Sequence, residues 1–110
     1  MAQKIALPGF AERLVKAQNK YDTDAFAAEF TSDAVVHDEG KVYRGIAQIK
    51  AWNEGTNEKY HITLEPTSFE SDKNKAILTA TMTGNFGGSP ASVKYNFTVK
   101  EGQIEALAIS

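Results

Sequence analysis

Asp38, Tyr95, His37, His61 and Trp52 stand out as side chains whose chemistry reaches beyond packing. Asp38 closes the run Ala34-Val35-Val36-His37-Asp38, whose β-branched residues predict a short strand. Alternation along a strand sends Asp38 and Val36 to one face and Val35 and His37 to the other. An apolar surround disfavours the charged form of a carboxyl group and lifts its pKa toward the range in which it can serve as a base. The bland alternative for Asp38 is a strand-end acid that caps its neighbours or pairs with Arg44. Tyr95 lies in the alternating run Val93, Tyr95, Phe97, Val99; its phenol can donate a hydrogen bond to a developing oxyanion. His37 and His61 are the two histidines. Either can titrate near neutrality, and with Asp38 they form a conceivable ligand set for a metal. However, His37 and Asp38 point to opposite faces, and no ligand pair has helical i, i+4 spacing. Both histidines read better as surface or structural residues, so no metal is expected.

The elements that must position these groups change character near Tyr60. Phe10, Leu14, Ala17 and Tyr21 recur at helical spacing and predict one face of a first helix, opened by Pro8. Asp22 or Thr23 caps a short second helix with Phe26, Ala27 and Phe30 inward. Thr31-Ser32-Asp33 ends it, the strand Ala34–Asp38 follows, and Val42-Tyr43 extends the strand pairing past a turn at Gly40. Gly45 opens a third helix with Ile46, Ile49, Trp52 and Asn53 on one side, ending near Gly55. Beyond it the pattern alternates by two: Tyr60, Ile62, Leu64; Leu78, Ala80, Met82, Phe86; then Val93 to Val99; then Ile104 to Ile109. Pro66 marks a bulge or break. Ser71-Asp72-Lys73-Asn74, Gly87-Gly88-Ser89-Pro90 and Glu101-Gly102 are turns. Gly87-Gly88-Ser89-Pro90 lacks the following helix and lysine of a phosphate loop, and Gly45 stands alone. Three helices in residues 8–57 and at least four antiparallel strands in residues 58–110 describe an α+β protein. Residues 1–110 read as one domain, without internal repeat or linker.

Bulk properties narrow the partners. The 42% hydrophobic and 24% charged composition is that of a globular chain. A formal charge of −2 with acids and bases intermixed offers no concentrated basic face for phosphates, so nucleic acid is not an expected partner. The absence of cysteine excludes disulfides and thiolate chemistry and fits a reducing compartment. Met1 to Pro8 holds only a three-residue apolar run, too short for a secretory signal, and no stretch approaches a membrane span. The expectation is a soluble, cytoplasmic protein.

The segment from Tyr21 through Phe26, Phe30, Asp33-Ala34 and His37-Asp38 to Gly40, continued by Val42-Tyr43-Arg44-Gly45 to Trp52, resembles the first half of SnoaL-like proteins of the nuclear transport factor 2 superfamily. The shared pattern is an acidic turn, a short amphipathic helix ending in Phe, Asp-Ala, a strand ending in an acid, and a Gly-started helix. The strand meander extends the likeness over nearly the whole chain. The resemblance implies a cone-shaped fold, with a strongly curved antiparallel sheet wrapped around the helices and a deep pocket at its open end. Its members include ketosteroid isomerases, polyketide cyclases, dehydratases and non-catalytic binding proteins. It implies that Asp38 corresponds to the aspartate that removes a proton next to a ketone. In the isomerases that base works with a Tyr and a protonated Asp in an apolar site; the matching positions here hold Leu14 and Tyr95. Trp52, Tyr60, Met82, Phe86 and Phe97, with Leu14, are the expected pocket lining. A hydrophobic small molecule is the implied ligand, and the proton chemistry requires no cofactor. The alternative is a non-catalytic ligand-binding or association domain. A homodimer is expected through the outer sheet face, formed by Thr79, Thr81, Thr83, Lys94, Asn96 and Thr98, with Leu107 and Ile109 at its centre and Ala106 and Ala108 toward the helices.

Overall fold

A computed structural model describes residues 5–110. The first four residues, part of the N-terminal stretch read above for a signal, lie outside the described residues. The first helix, α1 (Gly9–Asn19), turns Ala11, Leu14, Val15, Ala17 and Gln18 inward, with Glu12 in its first turn and Lys16 in its last, matching the helix dipole. Its inward face stops short of Tyr21. That residue adopts φ 56° after the helix has ended and is 43% exposed, so the phenol leaves the core. Asp22 caps α2 (Thr23–Ala27) by accepting from the Ala25 N–H at 3.1 Å.

Strand β1 (Phe30–Asp38) is longer than its apolar run suggests. Phe30 already pairs with Ile104, and the register then shifts before Val35, so the polar Thr31-Ser32-Asp33 stretch lies within an irregular strand and is no loop. Strand β2 (Lys41–Arg44) returns antiparallel to β1, and Gly45 at φ 82° makes the corner into the third helix. That helix, α3 (Gly45–Tyr60), runs through Gly55, which lies on the exposed side and carries only a propensity cost of about 1 kcal/mol. It stops at His61, whose left-handed backbone (φ 52°) sends its N–H to the Asn57 carbonyl at 2.8 Å. Tyr60 therefore closes a helix and does not open a strand.

Strands β3 (Thr63–Asp72), β4 (Lys75–Thr83), β5 (Ala91–Lys100) and β6 (Gln103–Ile109) form the antiparallel meander expected from the alternation. The six-stranded sheet has the order β2-β1-β6-β5-β4-β3; β1 and β6 run parallel, which makes the sheet mixed. It is curved and open-edged. Register shifts occur at Pro66–Ser68, where the sequence marked a break, and at Thr98–Val99. Such bulges bend a sheet and sharpen its twist. The helices fill the concave side. Phe10 meets Phe97 edge-on at 5.3 Å, and Leu14, Phe26, Ile49, Leu78, Ile104 and Leu107 are all but fully buried around them. Among the described residues no helix is long and apolar enough to cross a membrane.

The assignment of faces along β6 needs correction. Val99 pairs with Ile104 but Thr98 pairs with Ala106, so Glu105 is an extra residue that reverses the alternation. Leu107 is consequently 0% exposed in the core, opposite Phe97, while Ala106 and Ala108 share the outer face with Thr98 and Asn96. A substitution at Leu107 thus tests the fold. Leu107→Ala should cost about 2–5 kcal/mol in urea unfolding, and Leu107→Lys should fail to accumulate as folded protein.

Candidate functional site

The open end of the cone holds a cavity of about 300 Å³, built from α1, α3 and four strands. At one corner the final residue of β1, Asp38, meets Trp52 of α3, whose indole Nε1–H donates to Asp38 Oδ2 at 3.2 Å. Trp52 is itself held by rings: Tyr43 stacks on it at 5.7 Å and Phe26 packs against it at 6.0 Å. Fixing the indole fixes the carboxylate oxygen that accepts from it and leaves Oδ1 without a side-chain donor among the described residues. The Arg44 alternative does not hold, since Arg44 sits opposite Val35 at the far end of the β1–β2 pairing. Tyr95 also lines the cavity and is 3% exposed; among the described residues its hydroxyl has no side-chain or backbone hydrogen-bond partner.

The electrostatics follow from this geometry. Burial lifts the Asp38 carboxyl above the ordinary aspartate range; the Trp52 N–H opposes that rise, and the nearby Glu39 charge adds to it. Burial, and then the negative charge of Asp38, push the Tyr95 phenol above its usual range, so it stays protonated and remains a donor.

Of the eight residues that the sequence placed at a pocket, six line this cavity: Asp38, Tyr95, Trp52, Tyr60, Met82 and Phe86. Leu14 and Phe97 belong instead to the core: Leu14 is fully buried, and Phe97 is packed between the rings of Phe10 and Tyr95. Ile62, Val93 and Ile109 complete the apolar wall, and Ile109 thereby leaves the outer face assigned to it above. His37 is exposed on the opposite side of β1, and His61 caps α3; no group of three metal-ligating side chains is present among the described residues.

Of one wall the sequence reading gave only Asn53, as an inward residue of the third helix. Gln18, Asn53 and Thr56 line the cavity with polar atoms. Gln18 Nε2 donates to Asn57 Oδ1 at 2.7 Å and to the Ile62 carbonyl at 3.1 Å. Asn53 Nδ2 donates to Gln18 Oε1 at 2.9 Å. Asn53 Oδ1 accepts from Thr23 Oγ1 at 2.9 Å and Asn57 Nδ2 at 3.3 Å. The available signal was the pair Asn53 and Asn57 at i, i+4 on the same face as Ile49, since amides on a helix's inward face need polar company.

Residues 11–106 match the SnoaL-like domain family. The chain belongs to the SnoaL-like family. Among solved structures, it is 36% identical to a candidate polyketide cyclase from Sinorhizobium meliloti, with 94% of this chain and 95% of that one covered at a TM-score of 0.91. A ketosteroid isomerase-like fold protein from Catenulispora acidiphila, solved with trimethylamine, superposes at TM-score 0.85 with 16% identity over 96% of this chain and 86% of that one. A nuclear transport factor 2-like protein from Cytophaga hutchinsonii gives 0.80 with 14% identity over 100% and 93%. These last two likenesses concern the fold. Among curated proteins none shows significant similarity to this chain.

The raised Asp38 pKa carries a stability consequence for this SnoaL-like protein. A group that holds its proton more tightly when folded contributes its full stability below the ordinary aspartate pKa. That contribution is lost as pH rises through the folded-state value. Asp38→Asn keeps an acceptor for Trp52 and removes the penalty. The variant should melt higher than wild type at neutral pH, and the difference should shrink as pH falls below the ordinary aspartate range. Thermal melts across that pH range check it.

Proposed function

We propose that the cavity binds a small hydrophobic carbonyl compound and that Asp38 removes a proton from the carbon α to the carbonyl. The supporting observation is a half-buried carboxylate at a largely apolar cavity, with one oxygen held by Trp52 and a protonated phenol, Tyr95, lining the same cavity. In this reading Asp38 Oδ1 takes the proton, the C–H electron pair moves into an enolate, and the Tyr95 hydroxyl donates to the enolate oxygen. Return of the proton to another carbon completes an isomerisation. Attack of the enolate carbon on a second carbonyl completes a cyclisation. The family's polyketide cyclase and isomerase members support this class of chemistry.

The test is hydrogen–deuterium exchange at the α carbon of α-tetralone, followed by proton NMR. Wild-type protein should accelerate exchange, with a rate that rises with pH through the Asp38 pKa and then levels. Asp38→Asn should lower it by about 10²–10⁴-fold, and Tyr95→Phe by about 10²–10³-fold. Equal exchange by wild type and Asp38→Asn would remove the proposed base.

A specific observation favours a second reading, a ligand-binding protein without turnover. Leu14 is fully buried in the core, so α1 brings no hydroxyl to the cavity where the isomerase resemblance places one, and Tyr95 is left as a single phenolic donor. Tight binding of α-tetralone with no exchange above background selects this reading.

The proposal extends to assembly as a homodimer. The outer sheet face presents Val35, Ile77, Thr79, Asn96, Ala106 and Ala108, small or half-covered side chains in adjacent register. Two such faces related by a two-fold axis can bury the roughly 1,200–2,000 Å² a stable interface needs. Ala106→Lys should shift sedimentation from dimer toward monomer; a wild-type chain that sediments as a monomer at micromolar concentration rules the dimer out.

A further inference from the structure

The buried amide cluster on the cavity wall has a defined hydrogen-bonding remainder. The Ile62 backbone carbonyl can only accept, so the Gln18 atom 3.1 Å from it is Nε2 and its other terminal atom is Oε1. Oε1 then requires a donor, which orients Asn53 with Nδ2 toward it and Oδ1 toward Thr23 and Asn57. One backbone carbonyl thus sets the orientation of every amide in the chain of bonds. The count follows. Gln18 Nε2 spends both hydrogens, on Asn57 and Ile62. Asn53 Oδ1 spends both lone pairs, on Thr23 and Asn57. What remains at the two cavity-lining residues is one N–H on Asn53 and one lone pair on Gln18 Oε1, on amides that bond each other at 2.9 Å.

A neighbouring donor and acceptor of this kind select for a group that both accepts and donates through one atom. A carboxylate brings no proton for the Gln18 lone pair. A ketone or ether uses the Asn53 N–H and leaves that lone pair unmatched in a desolvated site, at a cost in affinity. An alcohol or phenol satisfies both.

We infer that the physiological ligand is a hydroxylated ketone whose hydroxyl is received by the Asn53–Gln18 amide pair while its carbonyl lies on the side of the cavity that holds Asp38 and Tyr95. The inference rests on the carbonyl-binding reading above and adds the second polar group. Asn53 and Gln18 act here as specificity-determining residues, distinct from the proton-transfer groups.

The experiment titrates wild-type protein with α-tetralone, with the set of ring-hydroxylated α-tetralones that differ in the position of the phenol, and with the methyl ethers of those phenols. It reads the fluorescence of Trp52, the chain's single tryptophan and a lining residue. At least one phenolic isomer should bind about tenfold more tightly than both α-tetralone and its own methyl ether, and should shift the side-chain amide resonances of Asn53 in ¹⁵N-labelled protein. Asn53→Ser, checked for folding by circular dichroism, should bring that isomer's affinity down to that of α-tetralone; because wild type alone supplies the phenol-to-ether comparison, a misfolded variant does not decide the matter. Phenols, ethers and α-tetralone binding within twofold of one another overturn the hydroxyl site and leave the carbonyl-binding reading standing. Binding by none of them overturns the carbonyl-binding reading and this inference together.

Discussion

The hydrogen-bonded run from Thr23 through Asn53, Asn57 and Gln18 to the Ile62 carbonyl is the constraint on which the rest of the molecule depends. It joins α1, α2 and α3 to the chain entering β3, and its three amide side chains are each less than a tenth exposed. Buried amides are tolerated only when paired, since an unmatched polar atom costs about 1–3 kcal/mol. The helices can therefore meet in just one rotational setting, the one that satisfies all three amides together. Apolar side chains alone would permit several. Fixing α3 in this way also fixes Trp52, one residue from Asn53, and through Trp52 the carboxylate of Asp38. Asn19 repeats the device one step outward. Its side chain accepts from the Leu64 N–H at 2.8 Å and donates to the Leu64 carbonyl at 2.9 Å, standing in for a strand neighbour at the start of β3.

Asp38 opposes that economy. A carboxylate at a largely apolar cavity is disfavoured in its charged form, and the fold accepts this by surrounding it with features that limit the damage without cancelling it. The indole N–H of Trp52 is a neutral donor, so it orients the carboxylate and only partly offsets the rise that burial imposes on its pKa. Among the described residues no cation is paired with Asp38, and the two ion pairs there, Arg13–Glu29 and Lys50–Asp24, both lie away from the cavity. A structural acid placed for stability would have gained from a basic partner. Local destabilisation retained at a concave site is the pattern that functional groups leave in a fold.

How far all this could be read from the chain depends on how local the determining interaction is. The alternation in Leu78-Ala80-Met82 and Tyr95-Phe97 is set by neighbours two residues away, and the meander appeared as expected. The end of α3 was set too early at Gly55 because glycine's propensity is local, whereas what carries the helix onward is Asn57 bonding to Gln18 from 39 residues away. Leu107 was placed on the wrong face because the bulge at Glu105 depends on the pairing of β6 with β5, which no periodicity within β6 encodes. The same holds at the site. Asp38 and Tyr95 were legible as single residues in patterned strands. The Gln18–Asn53 pairing was invisible, because an inward amide on one helix acquires meaning only beside an amide on another.

In the proposed reaction, Asp38 and Tyr95 also gain from lining one cavity. Asp38's charge raises the Tyr95 pKa, which means that the ionised carboxylate makes the phenol a poorer donor. Transfer of a proton to Asp38 removes that charge at the moment an enolate oxygen would appear beside Tyr95. Negative charge then moves across the cavity without increasing, and the phenol becomes a stronger donor as the oxyanion that needs it forms. A donor whose strength rises along the reaction stabilises the transition state more than the ground state, the condition under which binding energy lowers a barrier. Two residues, one phenol and one carboxylate, can reach by mutual electrostatics part of what a larger set of donors supplies by number, which bears directly on an arrangement where Leu14 leaves Tyr95 without a second hydroxyl from α1.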